Sequence, residues 1–191
     1  MKTAFIGIDY IIDIMHPDGK IARSAEQATQ RDVISKANQI LHLAEQRGWL
    51  KLLVKVGFSA NYVEQPKNSP MFSKANQFGA LMLGHKGTDF HPDLHADKAD
   101  MVIIKPRVSA FYCTELEAVL RANKIERLVI AGVSTVMTVQ STARDAHDRD
   151  YQVVIVEEAC AAPTQVEHES SIAFLKQIAS VVNCQQLSEM V

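Results

Sequence analysis

Five short runs of this chain are apolar almost without interruption: Thr3 to Ile8, Leu50 to Phe58, Asp100 to Lys105, Arg127 to Ala131 and Tyr151 to Val156. Strands that show one face to water alternate apolar with polar residues, so unbroken runs of this length point to parallel strands covered on both faces. Helical patterns lie between them. The first starts near Ser24, where Ser24 and Gln27 can form a capping box, and carries Ile34, Ala37, Ile40, Leu41 and Ala44 before Gly48 ends it. A second starts at Thr114, paired with Glu117 in the same way, and buries Leu116, Val119 and Leu120. A third spans about Thr135 to His147. A fourth runs from Pro163 to about Ser180, with Val166, Ile172, Ala173 and Ala179 expected to face inward.

Alternating strands and helices imply right-handed crossovers and an α/β fold: one doubly wound parallel sheet with helices on both faces, in a Rossmann-type three-layer arrangement. With 191 residues, 47% of them hydrophobic, the chain suits one domain over residues 1–191 better than two. The formal net charge of −2 offers no basic footprint for nucleic acid or an anionic membrane surface. Cys113, Cys160 and Cys184 are widely spaced and odd in number, which predicts neither disulfides nor a zinc knuckle. Asp9 interrupts the first apolar run too early for a signal peptide, and no later run has spanning length, so a cytoplasmic protein is expected.

Ligands of such sheets bind beyond the carboxyl ends of the strands, where the strand order reverses. That rule nominates Asp9, Lys105 and the turn after Ala131. An acid and a base on two strand ends can meet in the crevice, where the lysine favours the ionised carboxylate and stabilises negative charge on a substrate. The stretch Ala131-Gly132-Val133-Ser134-Thr135 turns a strand into a helix whose first amides can face an oxyanion. Residues 59–98, rich in Asn, Gly, Pro and His, are too long for a simple connection and are expected to form a flap or pocket wall. His85, His91 and His95 within it match no metal-ligand spacing and read as rim or surface histidines.

These pieces together resemble the isochorismatase-like cysteine hydrolases, a family that includes nicotinamidases, N-carbamoylsarcosine amidohydrolases and true isochorismatases. The resemblance rests on Ile8-Asp9, on Lys105-Pro106-Arg107-Val108-Ser109-Ala110-Phe111, on Ala131-Gly132-Val133, and on Thr135-Val136-Met137-Thr138-Val139 followed by Thr142-Ala143-Arg144-Asp145-Ala146. It extends to Glu158-Ala159-Cys160-Ala161-Ala162. The chain departs from the family at three points. Thr138 occupies the position of the nucleophilic cysteine, Tyr10 replaces the methionine after the aspartate, and Gly57-Phe58-Ser59-Ala60-Asn61 lacks the Asp-x-His metal motif of nicotinamidases.

The resemblance implies a hydrolase of a small polar or carboxylated metabolite in a homodimeric or larger assembly, while the missing Asp-x-His motif implies no metal, and no cofactor is expected. Asp9, Lys105 and Thr138 are the expected catalytic residues, and Val133, Ser134, Tyr10 and Phe111 the expected substrate-binding ones. It also implies a non-proline cis peptide between Val133 and Ser134 that aims the amides of Ser134 and Thr138 at an oxyanion. A threonine hydroxyl does not ionise near neutrality as a thiol does, so noncovalent hydrolysis with Asp9 as acid or base, of the kind by which true isochorismatases cleave a vinyl ether, ranks ahead of amide cleavage by a Thr138 nucleophile. The third reading is a binding protein without activity, against which retention of both Asp9 and Lys105 argues.

Overall fold

The computed structural model describes residues 1–190. Its sheet has six strands, all parallel, in the order β3-β2-β1-β4-β5-β6. They are β1 (Thr3–Ile8), β2 (Leu50–Val56), β3 (Met101–Lys105), β4 (Arg127–Gly132), β5 (Gln152–Val156) and β6 (Ser180–Val182). Every residue of β1 and β4 is buried, as their unbroken apolarity requires of central strands. The order reverses between β1 and β4, where Ile8 stands opposite Gly132. A side chain at Gly132 would collide with the Ile8 carbonyl oxygen, so glycine lets the two strand ends close at the crevice.

Eight helices surround the sheet: α1 (Ile12–Met15), α2 (Ala25–Gln30), α3 (Val33–Gln46), α4 (Ala75–Phe78), α5 (Leu116–Ala122), α6 (Gln140–His147), α7 (Gln165–Leu175) and α8 (Cys184–Glu189). Among the described residues no helix is long and apolar enough to cross a membrane.

Several boundaries differ from expectation. The first helix is split into α2 and α3 because Asp32 adopts a left-handed conformation (φ 52°) between them, and Ser24 makes no side-chain capping bond. The Thr114–Glu117 capping box is also absent. Thr114 donates its hydroxyl proton to the Ala110 carbonyl instead, and Glu117 receives Arg121 and Arg149. The cap that does form at α7 is Thr164, which accepts the Glu167 amide. The helix ends at Leu175, and its inward face is His168, Ser171, Ile172 and Leu175, while Val166 and Ala173 are exposed. β2 stops at Val56, since the Phe58 amide turns to the Leu81 carbonyl and starts the excursion through residues 59–98.

Candidate active site

Asp9 is the first residue past β1. Its amide still donates to the Val54 carbonyl (2.8 Å), but its backbone is left-handed (φ 58°), which swings the carboxylate across the end of β2. Oδ1 accepts the Val56 amide at 2.7 Å, and Oδ2 accepts Lys105 Nζ at 2.7 Å. Lys105 ends β3, two strands away, a separation of about 10 Å at ordinary strand spacing. Only a long side chain bridges that gap, and the lysine lies over the end of β2 to do so. Its Nζ also donates to the Arg107 carbonyl (3.1 Å). Asp9 and Lys105 are 3% and 1% exposed, so this ion pair is nearly dehydrated and each charge depends on the other.

On the other side of the reversal, β4 runs through Val133 and Ser134 into a π-helical turn, Thr135–Val139, before α6. The Ser134 carbonyl accepts the amides of both Met137 and Val139, and the second of these is the five-residue bond that widens the turn. The peptide between Val133 and Ser134 is cis. Thr138 is 3% exposed, and its hydroxyl donates to the Val108 carbonyl at 3.0 Å.

That last bond belongs to a set that fastens the segment after β3 to α6. Ser109 donates to Asp145, and the Ala110 amide donates to Thr142 Oγ1 at 3.1 Å. The Ser-Ala and Thr-Ala-x-Asp motifs therefore meet as the two halves of one clasp. The clasp holds the segment after Lys105 against the turn and helix that carry Thr138.

Asp9, Lys105, Val133, Ser134 and Thr138 all line one cavity of about 430 Å³, a size suited to a small metabolite. Ile14, Ile21, Met71, Phe72, Phe78 and Leu81 supply apolar walls, several of them from the long excursion, which is indeed a pocket wall. Lys20, Arg23 and Lys74 bring three cations to the same lining, and Asp9 is its one acid. Sequence reasoning missed these cations. The available signal was the turn-rich stretch His16-Pro17-Asp18-Gly19-Lys20, which follows the first strand end and so belongs to the loop layer where ligands bind.

Two expected substrate contacts are elsewhere. Tyr10 is fully buried, packs over the side-chain-less Gly7 and donates its hydroxyl to the Ala159 carbonyl (2.7 Å), so it is part of the core. Phe111 stacks on Tyr151 with Arg149 above it, on the α6 side of the clasp. Neither lines the cavity.

Asp13 has a role that was not foreseen. It is buried, and its carboxylate accepts the Leu81 amide (2.7 Å) and the Lys20 amide (3.2 Å), tying the wall and the cationic loop to α1.

None of the three cysteines lines the cavity. Cys113 is exposed and away from the cavity, and burial pushes the thiols of Cys160 and Cys184 up to about 12. Among the described residues no three His, Cys, Asp or Glu side chains are grouped to hold a metal ion.

Comparison with known proteins agrees with this architecture. The isochorismatase domain model matches residues 3–186. An uncharacterized isochorismatase family protein, YecD of Escherichia coli O157:H7, is 33% identical over 165 residues, covering 85% of this chain and 83% of that protein. Ureidoacrylate amidohydrolase RutB of Acinetobacter baylyi is 31% identical over 159 residues, 76% of this chain but 65% of the longer RutB. The crystal structure of an isochorismatase family protein from Desulfovibrio vulgaris superposes with a TM-score of 0.88 at 24% identity, covering 98% of this chain and 97% of that one. The chain belongs to the isochorismatase family.

Proposed function

We propose that the protein hydrolyses a C–N bond of a small carboxylated amide or ureido compound by direct attack of water, with Asp9 as base and no covalent intermediate. The observation that carries this reading is the wiring of Asp9 and Thr138. Both oxygens of Asp9 already accept donors, from Val56 and Lys105, so each is wired as an acceptor and neither is set to donate. Cleavage of a vinyl ether would begin with a proton delivered to carbon, so this wiring favours attack on a carbonyl carbon. The Thr138 hydroxyl is committed to the Val108 carbonyl, which makes it a wall of the cavity and not a nucleophile facing its base.

In the reaction, water attacks the carbonyl carbon as its proton passes to Asp9, and the amides of Ser134 and Thr138 receive the oxyanion. Asp9 then returns the proton to the departing nitrogen, the C–N bond breaks, and an acid and an amine leave. Lys105 holds the carboxylate in place throughout. Lys20, Arg23 and Lys74 on the lining suit a carboxylate on the substrate, and the amidohydrolase name of the RutB relative supports the C–N assignment.

The test is a panel of ureido acids, carboxylated amides, N-carbamoyl compounds and isochorismate offered to the purified chain and to Thr138→Val. Turnover of a carboxylated amide or ureido compound that survives in Thr138→Val within about tenfold supports the proposal. Loss of that turnover by a further two orders of magnitude or so would make Thr138 the nucleophile. Turnover of isochorismate alone would return the vinyl-ether mechanism, and tight binding without turnover would make the protein a binding module.

A thiol placed at the same point reports on the site's electrostatics. Thr138→Cys is expected to react with iodoacetamide at mildly acidic pH faster than exposed Cys113, because Lys105 and the turn amides favour a thiolate over the opposition of Asp9. Mass spectrometry of the alkylated peptides reads the two rates side by side. Equal rates would mean that the cavity lacks the cationic character assigned to it.

A further inference from the structure

The turn that carries Ser134 and Thr138 into the cavity is fastened from behind. Thr135, fully buried, donates its amide to the Ala161 carbonyl (2.8 Å), and its hydroxyl lies 2.8 Å from Nδ1 of His168 on α7. His168 is 1% exposed. Its other nitrogen, Nε2, faces Glu157 Oε1 at 3.5 Å and makes no hydrogen bond of good geometry. A histidine held this deeply, one residue removed from a cavity-lining position, has no part in the water-attack scheme.

We infer that His168 is a positioning residue whose ring, protonated at Nε2 and bare at Nδ1, accepts the Thr135 hydroxyl proton and thereby fixes the turn bearing Ser134 and Thr138. The carboxylate opposite Nε2 selects that tautomer, since it attracts an N–H and repels a lone pair. The bare Nδ1 then gives the buried threonine hydroxyl the acceptor it needs. The Ala161 bond restrains the backbone of Thr135 but not its rotation about that bond, and the His168 bond supplies the second point of attachment.

Acid pH reverses the arrangement. A doubly protonated ring has an N–H at Nδ1, so the Thr135 hydroxyl must turn to accept, and the turn loses the geometry set by the neutral ring. Burial and the nearby Arg31 guanidinium hold the His168 pKa below its usual value, against the opposing pull of Glu157 and Glu169. The neutral form therefore prevails at neutral pH. As pH falls through the ordinary histidine range, about 6.5, the unfolded chain takes up the proton first, so stability drops with acidification. His168→Gln should flatten that part of the stability profile.

The role assigned to the turn rests on the cavity being the hydrolytic site, so the test avoids turnover and its failure is distinct from failure to find a substrate. Nitrogen NMR of the ring in the full chain reads the tautomer directly, and a protonated Nδ1 at neutral pH overturns the proposal. The second measurement uses Thr138→Cys as reporter, with residue 135 kept as Thr or changed to Val or Ser, and compares iodoacetamide labelling once the thiol is fully ionised. Thr135→Val is expected to change the rate at residue 138 by about fivefold, the equivalent of one hydrogen bond, while Thr135→Ser restores it and Cys113 labels equally in all three. Equal rates at residue 138 for Thr, Val and Ser would overturn the positioning role. If the Val variant does not fold, the ring spectrum of the unmodified chain still decides.

Discussion

Lys105→Met should cost about 3–5 kcal/mol of stability, the range expected when one partner of a buried ion pair is removed and the other is stranded. Methionine keeps nearly the volume of the lysine stem, so little of the loss comes from an empty space. What remains is Asp9, 3% exposed, with the Val56 amide as its single strong donor in place of two. Urea unfolding of the variant measures the loss. The double variant Asp9→Asn/Lys105→Met should recover a substantial part of it, because no charge is then left without a partner. A loss under about 1 kcal/mol would show that water reaches the pair and that the site is less dehydrated than its burial implies.

Asp9→Asn should lower turnover of whichever substrate the panel identifies by about 10²–10⁴-fold, the usual contribution of a positioned base. Asparagine can still accept the Val56 amide through its carbonyl oxygen, so the end of β1 keeps its anchor, but the amide cannot take a proton from water. The substrate's affinity should change far less than its turnover, since Lys20, Arg23 and Lys74 are untouched. Equilibrium binding and steady-state kinetics, run together, separate the two effects. A variant retaining activity within about tenfold would remove Asp9 as the base and move attention to a substrate that supplies its own.

The strand-end residues were readable because two simple rules converge on them. Central parallel strands need continuous apolar sequence, so β1 to β5 stand out, and the residues just past their ends fall in the ligand layer whatever the details of the loops. Asp9, Lys105, Val133 and Ser134 line the cavity for that reason, and Thr138, which only the family resemblance singled out, joins them from the turn that follows. The resemblance placed Tyr10 and Phe111 there too, yet the step after the left-handed Asp9 sends Tyr10 into the core, and beside the clasp between Ser109 and Asp145 Phe111 is buried against Tyr151. Sequence proximity does not determine direction where the backbone leaves the extended region. β6 escaped notice because a three-residue edge strand, exposed at Ser180 and half-buried at Val181 and Val182, leaves no apolar signature. The cations of the lining were hidden for another reason: Lys20 and Lys74 are 54 positions apart, and only the folding back of two loops puts them on one rim.

The place of β1 in the sheet bears on how the chain is made. It precedes β4 by more than a hundred residues, yet it ends up between β2 and β4, with Thr3 to Ile8 matched to Arg127 to Gly132. Until residues 127–132 have been synthesised, its β4 edge has no partner, and a strand buried at every position in the finished sheet is left with open backbone donors and acceptors on that side. Where β1, β2 and β3 pair before β4 is available, that half-built sheet carries an open edge and waits on a contact of long sequence separation. Molecular chaperones that shield exposed strand edges should matter most in that interval, and nascent chains arrested with β3 outside the ribosome and β4 still inside it should be the most prone to aggregate.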